Sequence, residues 1–173
     1  MTSKRRRKEP KRLFKVSLGK MKRKILISAC LVGENVKYDG GNNLLHVKCL
    51  EQWQEEGVLV PLCPEVLGGL SVPRPACEVI KGTRCVITQN GEDVSEAFVK
   101  GAKEALRIAK EEGVVMAILK ARSPSCGKDV IYDGTFSHTK VNDSGITCKR
   151  LQEEGIPVFS EEELDKAQLF WSS

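Results

Sequence analysis

The sequence predicts an α/β domain of Rossmann-like, three-layer form, with a small, mostly parallel sheet and helices on both faces. Three observations carry this expectation. Short apolar runs rich in β-branched residues recur along the chain, as strands buried on both faces require. Segments of helical period separate them. Gly57, Gly113 and Gly155 each stand where a helical segment stops and an apolar run begins, a place suited to a residue that takes a left-handed conformation easily.

The first strand is read at ILISAC, residues 25–30. Turn residues follow at Asp39-Gly40-Gly41-Asn42. Residues 43–56 read as a helix with an irregular apolar face of Leu44, Leu45, Cys49 and Trp53. VLVPLC, residues 58–63, reads as the second strand, although Pro61 counts against a fully central place. The Gly- and Pro-rich stretch at 64–79 is too irregular for a helix and reads as a long loop. Residues 78–80 and 84–88, broken at Lys81-Gly82, read as a small hairpin.

From 93 to 112 the pattern is helical, with Val94, Phe98, Ala102, Ala105, Leu106 and Ala109 at three- and four-residue spacing. Asp93 is read as its N-cap or first-turn acid. Residues 114–119 form the third clear strand, and a short apolar segment follows at 130–132. Residues 140–154 read as a helix interrupted at Gly145, and residues 157–159 as a short strand. Ser160-Glu161-Glu162-Glu163 has the form of a capping box opening a last helix. No GxGxxG follows the first strand and no P-loop motif occurs, so neither common nucleotide fingerprint accompanies the fold.

With 173 residues and 40% hydrophobic content, the chain is expected to form one α/β domain over residues 24–173. Residues 1–23 are expected to be a basic, disordered extension. The first 24 residues hold twelve Lys or Arg against the single acid Glu9, leaving sixteen basic and twenty-two acidic residues in the remainder. The extension offers a weak contact to nucleic acid, with Phe14 its only aromatic. Met21 directly precedes the first folded segment, so translation from an upstream start explains residues 1–20 equally well.

Seven cysteines, an odd number without a signal peptide, do not suit a secreted disulfide scaffold. No run of apolar residues is long enough to cross a membrane, and a cytoplasmic location is expected. In an open α/β sheet, ligands sit beyond the carboxyl ends of the strands. Cys30 and Cys63 end the first and second strands there, and Cys126 follows the third in a tight Ser-Pro-Ser-Cys-Gly loop. Three thiols at one sheet edge can hold a soft metal centre. Cys49, Cys85 and Cys148 are read as core residues, while Cys77, in the long loop, is a weaker candidate for the site.

Closed zinc sites use four ligands in close pairs, which are absent, and the only histidines are His46 and His138. A catalytic zinc, an iron–sulfur cluster with an open iron, a nucleophilic thiol and inert cysteines all remain open on residue types alone.

SACLVGENVKYDGG (28–41), LCPEVLGGLSVPRP (62–75) and KARSPSCG (120–127), with NGEDV (90–94) and YDGTF (132–136), together resemble the DUF523 family. The resemblance runs from about residue 24 to 163. It implies a thiouracil desulfidase, replacing the sulfur of a thiolated uracil by oxygen without net redox change. It also implies a [4Fe-4S] cluster held by Cys30, Cys63 and Cys126, with one iron free of protein ligands. A site stripped of its cluster would stand empty or hold zinc. Glu65 and Ser125 match the family's proposed catalytic set, Glu65 being the candidate base.

Asp39, in the Tyr-Asp-Gly-Gly turn, is a second carboxylate candidate. Arg74, Lys120 and Arg122 are weaker candidates for a ribose-phosphate contact. Gly68-Gly69, with Pro73 and Pro75, suit backbone packed close to a ligand. The expected partner is a thiolated nucleobase, nucleoside or nucleotide, with the oligomeric state left open. Sulfur transfer in the opposite direction, as in tRNA thiolation, and a non-enzymatic cluster- or metal-binding module are the alternative readings.

Overall fold

The computed structural model describes residues 22–173. The expected basic extension, residues 1–23, therefore lies outside the described residues except for Lys22 and Arg23, and the proposed nucleic-acid contact lies outside them too. Those two residues join the folded body instead. Lys22 Nζ donates to the Glu56 carbonyl at 2.7 Å, and the Arg23 guanidinium stands 4.8 Å from the Trp171 ring centroid.

In chain order the elements are β1 (Lys24–Ser28), α1 (Lys48–Glu55), β2 (Leu59–Leu62), α2 (Pro64–Leu67), β3 (Cys77–Val79), β4 (Val86–Thr88), α3 (Ser95–Glu112), β5 (Val114–Leu119), β6 (Ile131–Tyr132), β7 (Lys140–Val141), α4 (Ile146–Glu153), β8 (Val158–Ser160) and α5 (Leu164–Ser172). Short 3-10 turns follow β1 at Ala29–Val32 and β8 at Glu161–Glu163. A parallel sheet runs in the order β2-β1-β5-β8. The pairs β3-β4 and β6-β7 are separate antiparallel hairpins.

Alternation along the central strands sorts the core around the parallel sheet into two halves. Ile25, Ile27, Met116 and Ile118 pack with Cys49, Leu50 and Trp53 of α1 and Ala167 of α5. Leu26, Ala117 and Leu119 face the other way, onto Ala105, Leu106 and Ala109 of α3 and Cys148 and Leu151 of α4. The seven strand side chains are fully buried. Each large one contributes roughly 1.5–3 kcal/mol over an exposed position, so the three-layer arrangement follows from the strand pattern. Gly57, Gly113 and Gly155 take the left-handed φ of +65°, +70° and +78° expected of helix stops.

Four local expectations need correction. Residues 43–47 are not helical: Asn43 N–H donates to the Cys30 carbonyl and Leu45 N–H to the Leu31 carbonyl, holding the segment against the turn after β1. The Asn42 side chain accepts the Leu44 N–H at 3.0 Å, a local bond that competes with helix. Within the expected loop at 64–79, Pro64 starts α2 from the first helical position, where its missing N–H costs nothing. The helix expected from 140 begins only at Ile146, because β7 comes first and Gly145 packs against Ser125. Cys85 precedes β4 and is exposed rather than buried. The capping box is present, with Ser160 Oγ accepting from Glu162 N–H and the Glu163 carboxylate from Ser160 N–H.

Candidate active site

A cavity of about 540 Å3 opens at the carboxyl edge of the sheet. Cys30, Cys63 and Cys126 all line it, although they come from three separated parts of the chain. Cys30 lies in the turn after β1, where Asn43 Nδ2 donates to its sulfur at 3.5 Å. Cys63 immediately precedes α2.

The Cys126 loop is held by the first turn of α4. The N–H groups of Ile146, Thr147 and Cys148 donate to the carbonyls of Pro124 and Ser125, so donors left free at a helix start fasten the loop. Ser123 Oγ accepts from the N–H groups of Ser125 and Cys126 at 3.2 and 3.1 Å. A Cβ on Gly145 would lie 2.4 Å from the Ser125 carbonyl carbon, which explains the glycine that interrupts the sequence pattern there.

Backbone proximity also positions α2. A Cβ on Gly101 of α3 would lie 1.9 Å from the Pro64 carbonyl oxygen, and one on Gly68 would lie 2.0 Å from that of Ala97. Gly68 therefore serves helix-to-helix approach rather than the expected approach to a ligand. This packing places Glu65 against the cavity. Its Oε1 accepts from Ser125 Oγ at 3.2 Å, and its Oε2 accepts from Arg74 Nε at 2.7 Å.

Arg74 is committed to this arrangement. Its Nη1 donates to the Ser71 carbonyl and its Nη2 to that of Val36, and only 5% of its side chain is exposed. Lys120 Nζ faces Glu161, and Arg122 Nη1 donates to Glu162 at 2.7 Å. All three cations line the cavity, but each already faces a carboxylate. Asp39 is not brought there. It lies in an exposed turn, where the Gly41 N–H and then Lys37 hold its carboxyl below the usual range.

Burial pushes the thiols of Cys30, Cys63 and Cys126 above their ordinary value, and their mutual proximity adds to this for Cys30 and Cys126. Reactive nucleophilic cysteines show the opposite shift. Thiols in this setting ionise against a strongly positive partner, which a metal group supplies. Cys77, placed by β3, lines the same cavity, and burial followed by Glu65 raises its thiol to about 11.

Sequence reasoning missed several lining residues. Ser28, Asn43, Tyr38, Gln89, Phe136 and His138 also face the cavity. Tyr132 and Phe136 belong to a motif visible in the chain, but nothing local shows that a hairpin carries it over the thiols.

The chain matches the family described as 2-thiouracil desulfurase over residues 25–163. It is 40% identical to an uncharacterized protein, YbbK, of Bacillus subtilis (strain 168) over 149 residues, covering 82% of this chain and 97% of that one. Among solved structures it resembles a [4Fe-4S]-dependent thiouracil desulfidase, TudS. The TM-score is 0.84 at 40% identity, over 87% of this chain and 99% of that one. The chain belongs to the 2-thiouracil desulfurase family.

Proposed function

We propose, taking membership of the 2-thiouracil desulfurase family as the premise, that the protein hydrolytically removes sulfur from thiolated uracil derivatives. The carrying observation is the convergence of Cys30, Cys63 and Cys126 on one cavity beside the Glu65–Ser125 pair. The donor set fits a [4Fe-4S] cluster: three soft thiols, spread around the cavity, suit a polynuclear group. Among the described residues, no group of three His, Cys, Asp or Glu side chains is placed to hold a single metal ion.

Cys30, Cys63 and Cys126 would hold such a cluster, which would supply Lewis acidity toward the thiocarbonyl sulfur. The reaction exchanges C=S for C=O with water and releases hydrogen sulfide, with no net change in oxidation state. Glu65 takes a proton from the attacking water. Arg74 fixes the carboxylate, while the hydroxyl of Ser125, a buried residue behind the cavity lining, donates to its other oxygen.

The test is anaerobic incubation with 2-thiouracil in 18O-labelled water. Uracil carrying the label and sulfide should appear in equal amounts. Sulfide without uracil, or no release of either, counts against the reading.

A further inference from the structure

We infer that the turn between β6 and β7 recognises the pyrimidine ring, stacking it against Phe136, with Glu78 as the positioning residue that holds the turn in place. The inference rests on the desulfidase reading, since it names how the same cavity receives its substrate.

Aromatic residues make up only 5% of the chain, yet both tyrosines, Tyr38 and Tyr132, line this cavity together with Phe136. Among the described residues no aromatic ring stacks on Phe136. The ring is half-buried at the cavity wall, where a planar ligand would meet it.

The backbone that presents it is strained. Phe136 and His138 have φ of +55° and +60°, a region that non-glycine residues enter only under constraint. The constraint is visible. Glu78 of β3 accepts from the N–H groups of Gly134 and Phe136 with one carboxylate oxygen, at 2.9 and 3.0 Å. Gly134 packs so closely on the end of β3 that a Cβ would lie 3.0 Å from the Val79 carbonyl oxygen and 2.8 Å from the Cα of Ile80, the next residue. A chain of hydroxyls, Thr135 to Ser137 to Thr139, closes the turn from its exposed side. An aromatic residue held so firmly, facing a cavity of thiols, is explained by a flat ring that must lie in one orientation beside the sulfur-binding edge.

The experiment measures 2-thiouracil and uracil affinity of the anaerobically prepared holoprotein by calorimetry, together with KM and kcat. The variants are F136L, F136A, F136Y and E78A, with iron content and thermal unfolding recorded for each. Leucine keeps the apolar bulk without the π-face. F136L and F136A should weaken 2-thiouracil binding about tenfold, within the range for losing one base–aromatic stack. They should raise KM with kcat little changed, while F136Y stays near wild type. E78A should behave like F136L at unchanged iron content. Equal affinities in wild type, F136L and F136A, with turnover intact, would overturn the stacking proposal and leave the desulfidase reading standing. A wild-type holoprotein that neither binds nor converts 2-thiouracil would overturn both.

Discussion

Removing the Arg74 side chain should cost far more than the loss of a surface charge. Its guanidinium and the Glu65 carboxylate lie 2.7 Å apart with side chains only 5% and 12% exposed. R74A therefore leaves a buried carboxylate whose remaining side-chain partner is Ser125, and it also strips the Ser71 and Val36 carbonyls of a donor. Breaking one side of a buried pair typically costs about 3–5 kcal/mol. At about 2–4 °C per kcal/mol for a chain of this size, Tm should fall by roughly 6–20 °C. Calorimetry on anaerobic samples of matched iron content measures this. Because the harm lies in the unpaired charge, E65Q/R74A should be more stable than R74A alone. R74K, which keeps the charge but lacks the fork, should fall between wild type and R74A. An R74A protein melting within about 2 °C of wild type at unchanged turnover would refute the placement of Arg74 as the group that fixes Glu65.

Replacing Cys30, Cys63 or Cys126 singly by serine should lower bound iron sharply, whereas C85S should leave it unchanged; iron and labile-sulfide assays decide this. E65Q should keep its iron but lose about 100-fold in kcat, the low end for a general base, and a smaller effect would place the base elsewhere. In G101A the new methyl would meet the Pro64 carbonyl oxygen at 1.9 Å. Relief needs a shift of about 1 Å in α2, and misplacement on that scale can cost about 100-fold in turnover. Partial burial raises the Glu163 carboxyl, but Lys128, the Ser160 N–H and Lys166 outweigh it and hold the group down at about 2. Its stabilisation is therefore present above the ordinary carboxylate range and lost as pH falls toward about 2. The stability gap between wild type and E163Q, followed by urea unfolding, should narrow over that window.

The central strands were legible because their burial is encoded locally. Residues 25–27 and 114–119 are apolar on both faces, and Gly113 marks the stop before the second run. Residues 43–47 were not legible, because what holds them is the carbonyls of Cys30 and Leu31, across the chain. Four residues give α2 no period to read, and its place depends on glycine contacts with α3. The three thiols could be placed from strand ends alone. In sequence Arg74 resembles a substrate contact, because its buried partner, nine residues away, becomes visible only in three dimensions. Asp39 stood in a conspicuous motif but serves its own turn. The Phe136 turn reaches the site through β3, which no local pattern reveals.

Iron and acid-labile sulfide per chain, measured after anaerobic purification and accompanied by EPR of the reduced protein, test the central claim most directly. The account predicts about four of each per chain. Stoichiometric zinc, or protein that takes up no iron on anaerobic reconstitution, would contradict it.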